Sequence, residues 1–288
     1  MEIKGFFHDD TFTVTYVVWD PLTRDAVVID PVLDLSLLTW RTSRSHDDLV
    51  AGFVAERGLQ VRWILDTHAH ADHLSGMADL KARFGAPTAI GREITAVQQR
   101  FGEVFNSGAD FPTDGRQFDA LLDDGAHLRA GSLTVEAIHT PGHTPACVSF
   151  KIRDAVFTGD TLFMPDYGTG RCDFPAGSAR ELYHSITQKL YTLPAATRVF
   201  VGHDYLPNGR QPAWETTIGA SKETNLQLRA HTAEGDFVAF REARDRTLPP
   251  PRLILPSLQV NIRAGELPPV ESNGRRYFRI PIGLLGGD

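Results

Sequence analysis

Two cysteines, Cys147 and Cys172, are all that the 288 residues contain. That is too few for a disulfide framework, and no oxidising compartment is indicated. Positive charge is in deficit as well: 29 Lys and Arg against 36 Asp and Glu leave a formal net charge of −7. This balance argues against a nucleic-acid partner or an anionic membrane surface. No apolar run approaches the roughly 20 residues of a membrane-spanning helix, and Met1-Glu-Ile-Lys-Gly5 does not read as a signal peptide. A cytoplasmic location is the resulting expectation. Internal repeats and low-complexity linkers are also missing. What remains, 42% hydrophobic and 23% charged residues, is the composition of an ordinary globular chain able to bury a sizeable core.

One stretch departs from this plain background: Ile64-Leu-Asp-Thr-His-Ala-His-Ala-Asp-His-Leu-Ser-Gly76. Three histidines and two aspartates fall between Asp66 and His73, directly after the apolar run Val61-Arg-Trp-Ile-Leu65. A strand ending here delivers them at its carboxyl end. Alternate residues share a face, so His68 and His70 can address one point. Imidazoles and carboxylates are the donors that borderline and hard metals take. A polar loop with incidental histidines is the plainer alternative, and the density of the cluster speaks against it.

The rest of the chain suits a layered α/β body. Thr11 to Trp19 and Asp25 to Asp30 read as a hairpin across Asp20-Pro-Leu-Thr-Arg24. Between residues 32 and 60 a polar stretch holding a solvent-exposed His46 precedes a helix from Asp48 to Gly58, with Asp47 or Asp48 as its cap. Helices are expected over Ser75 to Phe84, Arg92 to Phe105, Ser178 to Tyr191, 213 to 231 and 235 to 246. Strands are expected over Pro87 to Ile90, Leu133 to Ile138, Ala146 to Ile152, Ala155 to Thr158 and Thr197 to Val201. Pro249-Pro-Pro251 and Pro268-Pro269 predict an extended tail over 247–288, packed on the body.

Four later segments each end an apolar run with a potential ligand: Ile138-His-Thr-Pro-Gly-His143, Val156-Phe-Thr-Gly-Asp160, Gly168-Thr-Gly-Arg-Cys-Asp-Phe174 and Val199-Phe-Val-Gly-His203-Asp-Tyr205. Glycine before His143, Asp160 and His203 permits a tight bend that turns the next side chain out of the sheet. Together with the first cluster, these segments resemble the metallo-β-lactamase superfamily. Within it they are most similar to the persulfide dioxygenases, also called sulfur dioxygenases, in a bacterial branch. The features shared are Thr67-His-Ala-His-Ala-Asp-His73, the Gly-rich loop to Phe174, Gly202-His-Asp-Tyr205 and the tail Ile254-Leu-Pro-Ser-Leu-Gln-Val-Asn-Ile262.

The resemblance implies one domain over 1–288 with an αββα sandwich, two mixed sheets back to back and helices outside. It also implies oxidation of a low-molecular-weight persulfide, typically glutathione persulfide, by O₂ to sulfite and thiol. One Fe(II) per subunit would be held by His68, His143 and Asp160, a set that leaves open positions. His70, Asp72, His73 and His203 would be outer-shell residues or a second metal site. In hydrolases of the superfamily Asp72, His73 and His203 hold a second metal with Asp160 bridging, so ligand identity alone does not separate one iron from two zincs. Zinc is the alternative or adventitious metal.

Tyr205 matches a position that contacts glutathione, or is a core tyrosine. Arg171 shapes the site, or pairs with Asp173. Asp66 and His70 are expected to orient ligands through hydrogen bonds. Cys147 and Cys172 read as buried and inert, while His8, His127, His139, His184 and His231 lie outside the ligand set. A homodimer or homotetramer is the family's habit.

Two departures qualify the match. Residues 32–60 form an extended connection before the metal loop. The family's glutathione-binding arginine falls near Asn225-Leu-Gln227, where no arginine stands, leaving Lys222 or Arg229 as substitutes. The competing readings are a glyoxalase II-like metal-dependent thioester hydrolase (a hydroxyacylglutathione hydrolase) and a non-catalytic binding module that has kept the fold.

Overall fold

The computed structural model describes residues 1–283. The chain opens with β1 (Glu2–His8), β2 (Thr13–Trp19) and β3 (Asp25–Ile29), followed by β4 (Val32–Ser36), β5 (Arg41–Ser43), α1 (Ser45–Glu56) and β6 (Gln60–Leu65). After the histidine cluster come β7 (Leu74–Ser75), α2 (Met77–Phe84), β8 (Thr88–Gly91), α3 (Ile94–Val104) and β9 (Ala120–Leu122). The second half runs through β10 (His127–Ala130), β11 (Leu133–His139), β12 (Val148–Ile152), β13 (Ala155–Phe157) and α4 (Ala179–His184). It ends with β14 (Arg198–Phe200), β15 (Glu215–Thr217), α5 (Ile218–Thr224), α6 (Glu234–Asp245) and α7 (Ile254–Asn261).

Two six-stranded sheets result, ordered β1-β2-β3-β6-β8-β9 and β10-β11-β12-β13-β14-β15, with a small sheet β5-β4-β7 beside them. The period-2 pattern of the strands splits their side chains between two cores. Val14, Tyr16, Val18, Val27 and Ile29 face across to Val135, Ala137, Phe150, Ile152 and Phe157, forming the layer between the sheets. Their neighbours Val17, Trp19, Ala26, Val28 and Ile64 face outward and are covered by Val50 and Val54 of α1, Met77 and Leu80 of α2, and Phe101 of α3. On the far side Val156, Val199 and Val201 pack under Leu182, Ile186, Ile218 and Phe237. This is the expected αββα sandwich.

Several local expectations change. The N-terminal strand β1 pairs antiparallel with β2, although its sequence gave no strong strand signal. A segment of π-helix, Ser185–Lys189, continues α4. The stretch 213–231 is helical only over α5, which Thr217 caps by accepting from Ala220 N–H at 3.1 Å; β15 precedes it. The tail is not wholly extended, because α7 forms within it. Pro256 sits in the first turn of that helix, where no intrahelical N–H is required of it.

Neither Asp47 nor Asp48 caps α1, which begins at Ser45 with no side-chain cap at Arg44. His46 is buried rather than exposed, with Nε2 3.1 Å from Thr15 Oγ1. Asp47 is fully buried, neither carboxylate oxygen has a hydrogen-bond partner, and a Cβ on Gly76 would come 2.2 Å from its Oδ1. Burial, reinforced by Asp79, pushes its carboxyl up to about 8. The unfolded carboxyl ionises from about pH 4. Stability is therefore lost as pH rises from there to about 8, and the penalty stays constant above that. Asp47→Asn should raise stability at pH 8 by roughly 1–3 kcal/mol while changing little near pH 4. Urea unfolding at the two pH values checks this.

Candidate metal centre

The strands leave their carboxyl ends at one rim. Parallel pairing of β3 with β6 and of β13 with β14 brings together the segments after Ile29, Leu65, Phe157 and Phe200. Gly142 and Gly159 carry φ of +138° and +48°, as the tight bends demand. Gly202 has no such conformation. It is required by close approach, since a Cβ there would lie 2.9 Å from the Gly159 carbonyl carbon. The contact sets Asp160 and His203 side by side.

Two donor sets converge. In one, atoms of His68, His143 and Asp160 all lie within 4.8 Å of one another; in the other, those of His70, Asp72, His73 and His203 do. Asp160 stands between them, its Oδ2 3.6 Å from His143 Nε2 and its Oδ1 3.3 Å from His203 Nε2. Asp72 Oδ2 is 3.2 Å from the same His203 nitrogen.

Hydrogen bonding on the outer side of each ring fixes which nitrogen is free. His143 Nδ1 donates to the Arg171 carbonyl at 2.6 Å. His68 Nδ1 lies 3.0 Å from Thr67 Oγ1, which itself donates to Asp30 at 2.9 Å, so the imidazole supplies the hydrogen. His73 Nδ1 donates to the Leu74 carbonyl at 3.1 Å. His68 Nε2, His70 Nδ1, His73 Nε2, His203 Nε2, Asp72 Oδ2 and Asp160 Oδ1 are left buried with no hydrogen-bond partner. Buried lone pairs aimed at common points are costly unless a cation takes them. The donor chemistry and the orphaned atoms together fit a bound metal.

Burial, and then the neighbouring histidines, hold His68 and His73 well below the ordinary imidazole value. Both are thereby kept neutral, as ligation requires. Burial opposes charge on His70, yet Asp30, in contact with it, lifts it to about 9. Burial raises Asp66 to about 7 and raises Asp72 as well.

Two supports of this centre were given no role by the sequence, although Asn261 falls within the shared tail motif. Asp30 is buried at φ +50°. Its carboxylate accepts from Thr67 N–H at 2.7 Å and from His70 Nε2 at 3.1 Å. From the tail, Asn261 Nδ2 donates to the carbonyls of His70 and His73, both at 2.8 Å, while its Oδ1 accepts from Ser75 N–H at 2.7 Å. The loop is thus held from β3 on one side and α7 on the other.

The chain matches the profile of the metallo-beta-lactamase superfamily over residues 8–203. It belongs to that superfamily. Among curated relatives it is 49% identical to a probable metallo-hydrolase of Burkholderia pseudomallei, covering 99% of this chain and all of the relative. It is equally identical to a beta-lactamase hydrolase-like protein of Xylella fastidiosa, of whose length it spans 65% while 99% of this chain is covered. A Dictyostelium discoideum protein called glyoxylase B2 is 45% identical, over 99% of this chain and 98% of its own. The mitochondrial persulfide dioxygenase ETHE1 of Mus musculus is 31% identical over 93% of this chain and 90% of its own length. The crystal structure of ETHE1 from Myxococcus xanthus superposes with a TM-score of 0.74 at 32% identity, covering 92% of this chain and 100% of that one.

In this superfamily member the donor sets open onto a groove crossed by the strap Leu248 to Pro251. Arg171 pins the strap by donating to the carbonyls of Pro249 at 2.7 Å and Leu248 at 3.4 Å. It also pairs through two nitrogens with Asp173, at 2.6 Å each. Two cavities, about 420 and 540 Å³, share His143, Arg171, Leu248, Pro250 and Pro251 in their walls. Tyr205 lines the first and stacks on His203, with centroids 5.5 Å apart. Cys172 and Cys147 are buried; burial pushes the Cys147 thiol up to about 12.

Neither Lys222 nor Arg229 lines these cavities, against expectation. Lys222 Nζ donates instead to the Tyr191 carbonyl at 3.2 Å. Asn225 and Gln227 brace the Gly-rich loop, through Gly168 O at 3.1 Å and Thr169 N–H at 3.1 Å. The arginines in the first cavity's wall are Arg171, Arg241, Arg244 and Arg252.

Proposed function

We propose that the chain is a persulfide dioxygenase, taking a low-molecular-weight persulfide and O₂ as substrates, with one iron held by His68, His143 and Asp160. The observation that carries the reading is a set of two imidazoles and one carboxylate backed by protein on one side and facing a cavity on the other. When bound, iron in such a set supplies adjacent positions for a sulfur donor and O₂ and mediates electron flow between them. The overall balance is one persulfide, one O₂ and one water giving thiol, sulfite and two protons, with four electrons passing from the outer sulfur to oxygen.

The chain's own part is orientation and exclusion. The Arg171 carbonyl fixes the His143 ring. Thr67 and Asp30 fix those of His68 and His70. Phe163, Tyr167 and Tyr205 wall the cavity against bulk water.

A metal-dependent thioester hydrolase is the second reading. It is favoured by the intact donor set His70, Asp72, His73 and His203 and by the hydrolase and glyoxylase names of several relatives. Anaerobically prepared protein should carry about one iron per chain and consume O₂ only with persulfide present. His203→Ala should retain that iron. If it loses metal as fully as His143→Ala, the single-iron assignment is wrong. Vigorous hydrolysis of S-lactoylglutathione by a two-zinc protein, with no persulfide oxidation, would replace the first reading with the second.

A further inference from the structure

The wall of the first cavity holds two arginines, the half-buried Arg244 and the exposed Arg252, that are not ion-paired among the described residues. Arg171 is committed to Asp173, and the buried Arg241 to Asp245 at 2.6 Å. Arg244, at the end of α6, and Arg252, beyond the proline strap, make no ion pair and no side-chain hydrogen bond among the described residues. Both line the same wall as Tyr167, Tyr205 and Phe163. The carboxylates in that wall are Asp72 and Asp160, which belong to the donor sets, and Asp10, on the β1–β2 connection. A chain of net charge −7 thus places free guanidinium groups where substrate must pass.

Guanidinium is weakly hydrated and matches carboxylate or phosphate through two parallel donors. Arg244 also completes a favourable charge at the carboxyl end of α6, but that role leaves its fork of donors available.

We propose that Arg244 and Arg252 form a clamp for an anionic group on the carrier thiol of the persulfide. The sulfur end then lies toward His143 and Asp160, and the carrier's tail lies against Tyr205. The clamp rests on the dioxygenase reading for the identity of the reacting group, not for the charge of the carrier. The anion's chemistry is shared by two sources, a peptide carboxylate as in glutathione and a phosphate as in coenzyme A.

Steady-state oxygen uptake by the iron-loaded protein tests the clamp. The ratio of kcat/KM for glutathione persulfide to that for an uncharged alkyl persulfide should fall about tenfold in Arg244→Ala and in Arg252→Ala, through KM. A fall seen with coenzyme A persulfide and not with glutathione persulfide would keep the clamp and name phosphate as its ligand. Ratios unchanged for both carriers would overturn it.

Calorimetric binding of S-methylglutathione and of coenzyme A to zinc-loaded protein separates the two proposals. Weaker binding of either in the double variant, alongside a wild type inert toward persulfide, keeps the clamp and removes the dioxygenase. Undiminished binding of both removes the clamp whatever the activity. Metal content equal to wild type shows that the variants fold.

Discussion

Asp160→Ala should leave the protein unable to retain metal and lower persulfide-dependent O₂ uptake by roughly a thousandfold or more, equivalent to about 4 kcal/mol of barrier. The size follows from its position. Its two oxygens face His143 Nε2 at 3.6 Å and His203 Nε2 at 3.3 Å, so one substitution removes the single carboxylate of the first donor set and the link between the two. What remains is the pair of imidazoles of His68 and His143, a poor match for a hard or borderline cation without a carboxylate.

The fold should survive. Asp160 lies in a loop, alanine adds no bulk, and the metal-free protein loses a buried oxygen, Oδ1, that has no partner. Elemental analysis, an oxygen electrode and thermal unfolding of the metal-free protein check the three parts. Wild-type metal content in Asp160→Ala would sink the assignment of this carboxylate.

Asp30→Ala should produce the larger structural loss. It would strip partners from the Thr67 amide, the Thr67 hydroxyl and His70 Nε2, bonded at 2.7, 2.9 and 3.1 Å. It would also place an alanine, which has no side-chain hydrogen bond to offer, in the left-handed region at φ +50°. A cost of roughly 3–5 kcal/mol is expected from unpaired buried groups, read as a shifted urea midpoint in metal-free protein. Asp30→Asn keeps the shape but turns an amide donor toward one of three donors, so metal affinity should fall about 10- to 100-fold. A stability change under about 1 kcal/mol in Asp30→Ala would contradict the hub role.

The contrast between these two aspartates marks what was readable in the chain. Asp160, His143 and His203 each follow a glycine at the end of an apolar run, a local pattern that repeats. Asp30 looked only like the last residue of the second hairpin strand. Its role comes from parallel pairing of β3 with β6, a contact between segments far apart in sequence. Asn261 sits in a tail whose prolines suggested extension. The helix that presents it exists because Pro256 falls in the first turn and the apolar residues around it dock on the metal loop. Asp47 was read as a cap from residue type, whereas the burial that governs it is set by Gly76, 29 positions on.

Arg244 and Arg252 are unremarkable in sequence, one near a helix end and one after a proline run. Only the strap's path over the groove brings them to the cavity, while Lys222 and Arg229, nearer the expected position, turn elsewhere. The sandwich and its donors were legible because they are periodic or clustered. The residues that brace the centre and meet the carrier were not, because each is a single side chain placed by tertiary contact.

The amide of Asn261 reaches the loop of His70 to Ser75 across 186 to 191 residues. While the ribosome is still making the second sheet, that loop has no α7 to rest on. Nascent chains would therefore hold the histidines loosely until α7 has been made, and metal loading becomes an event that waits for that helix.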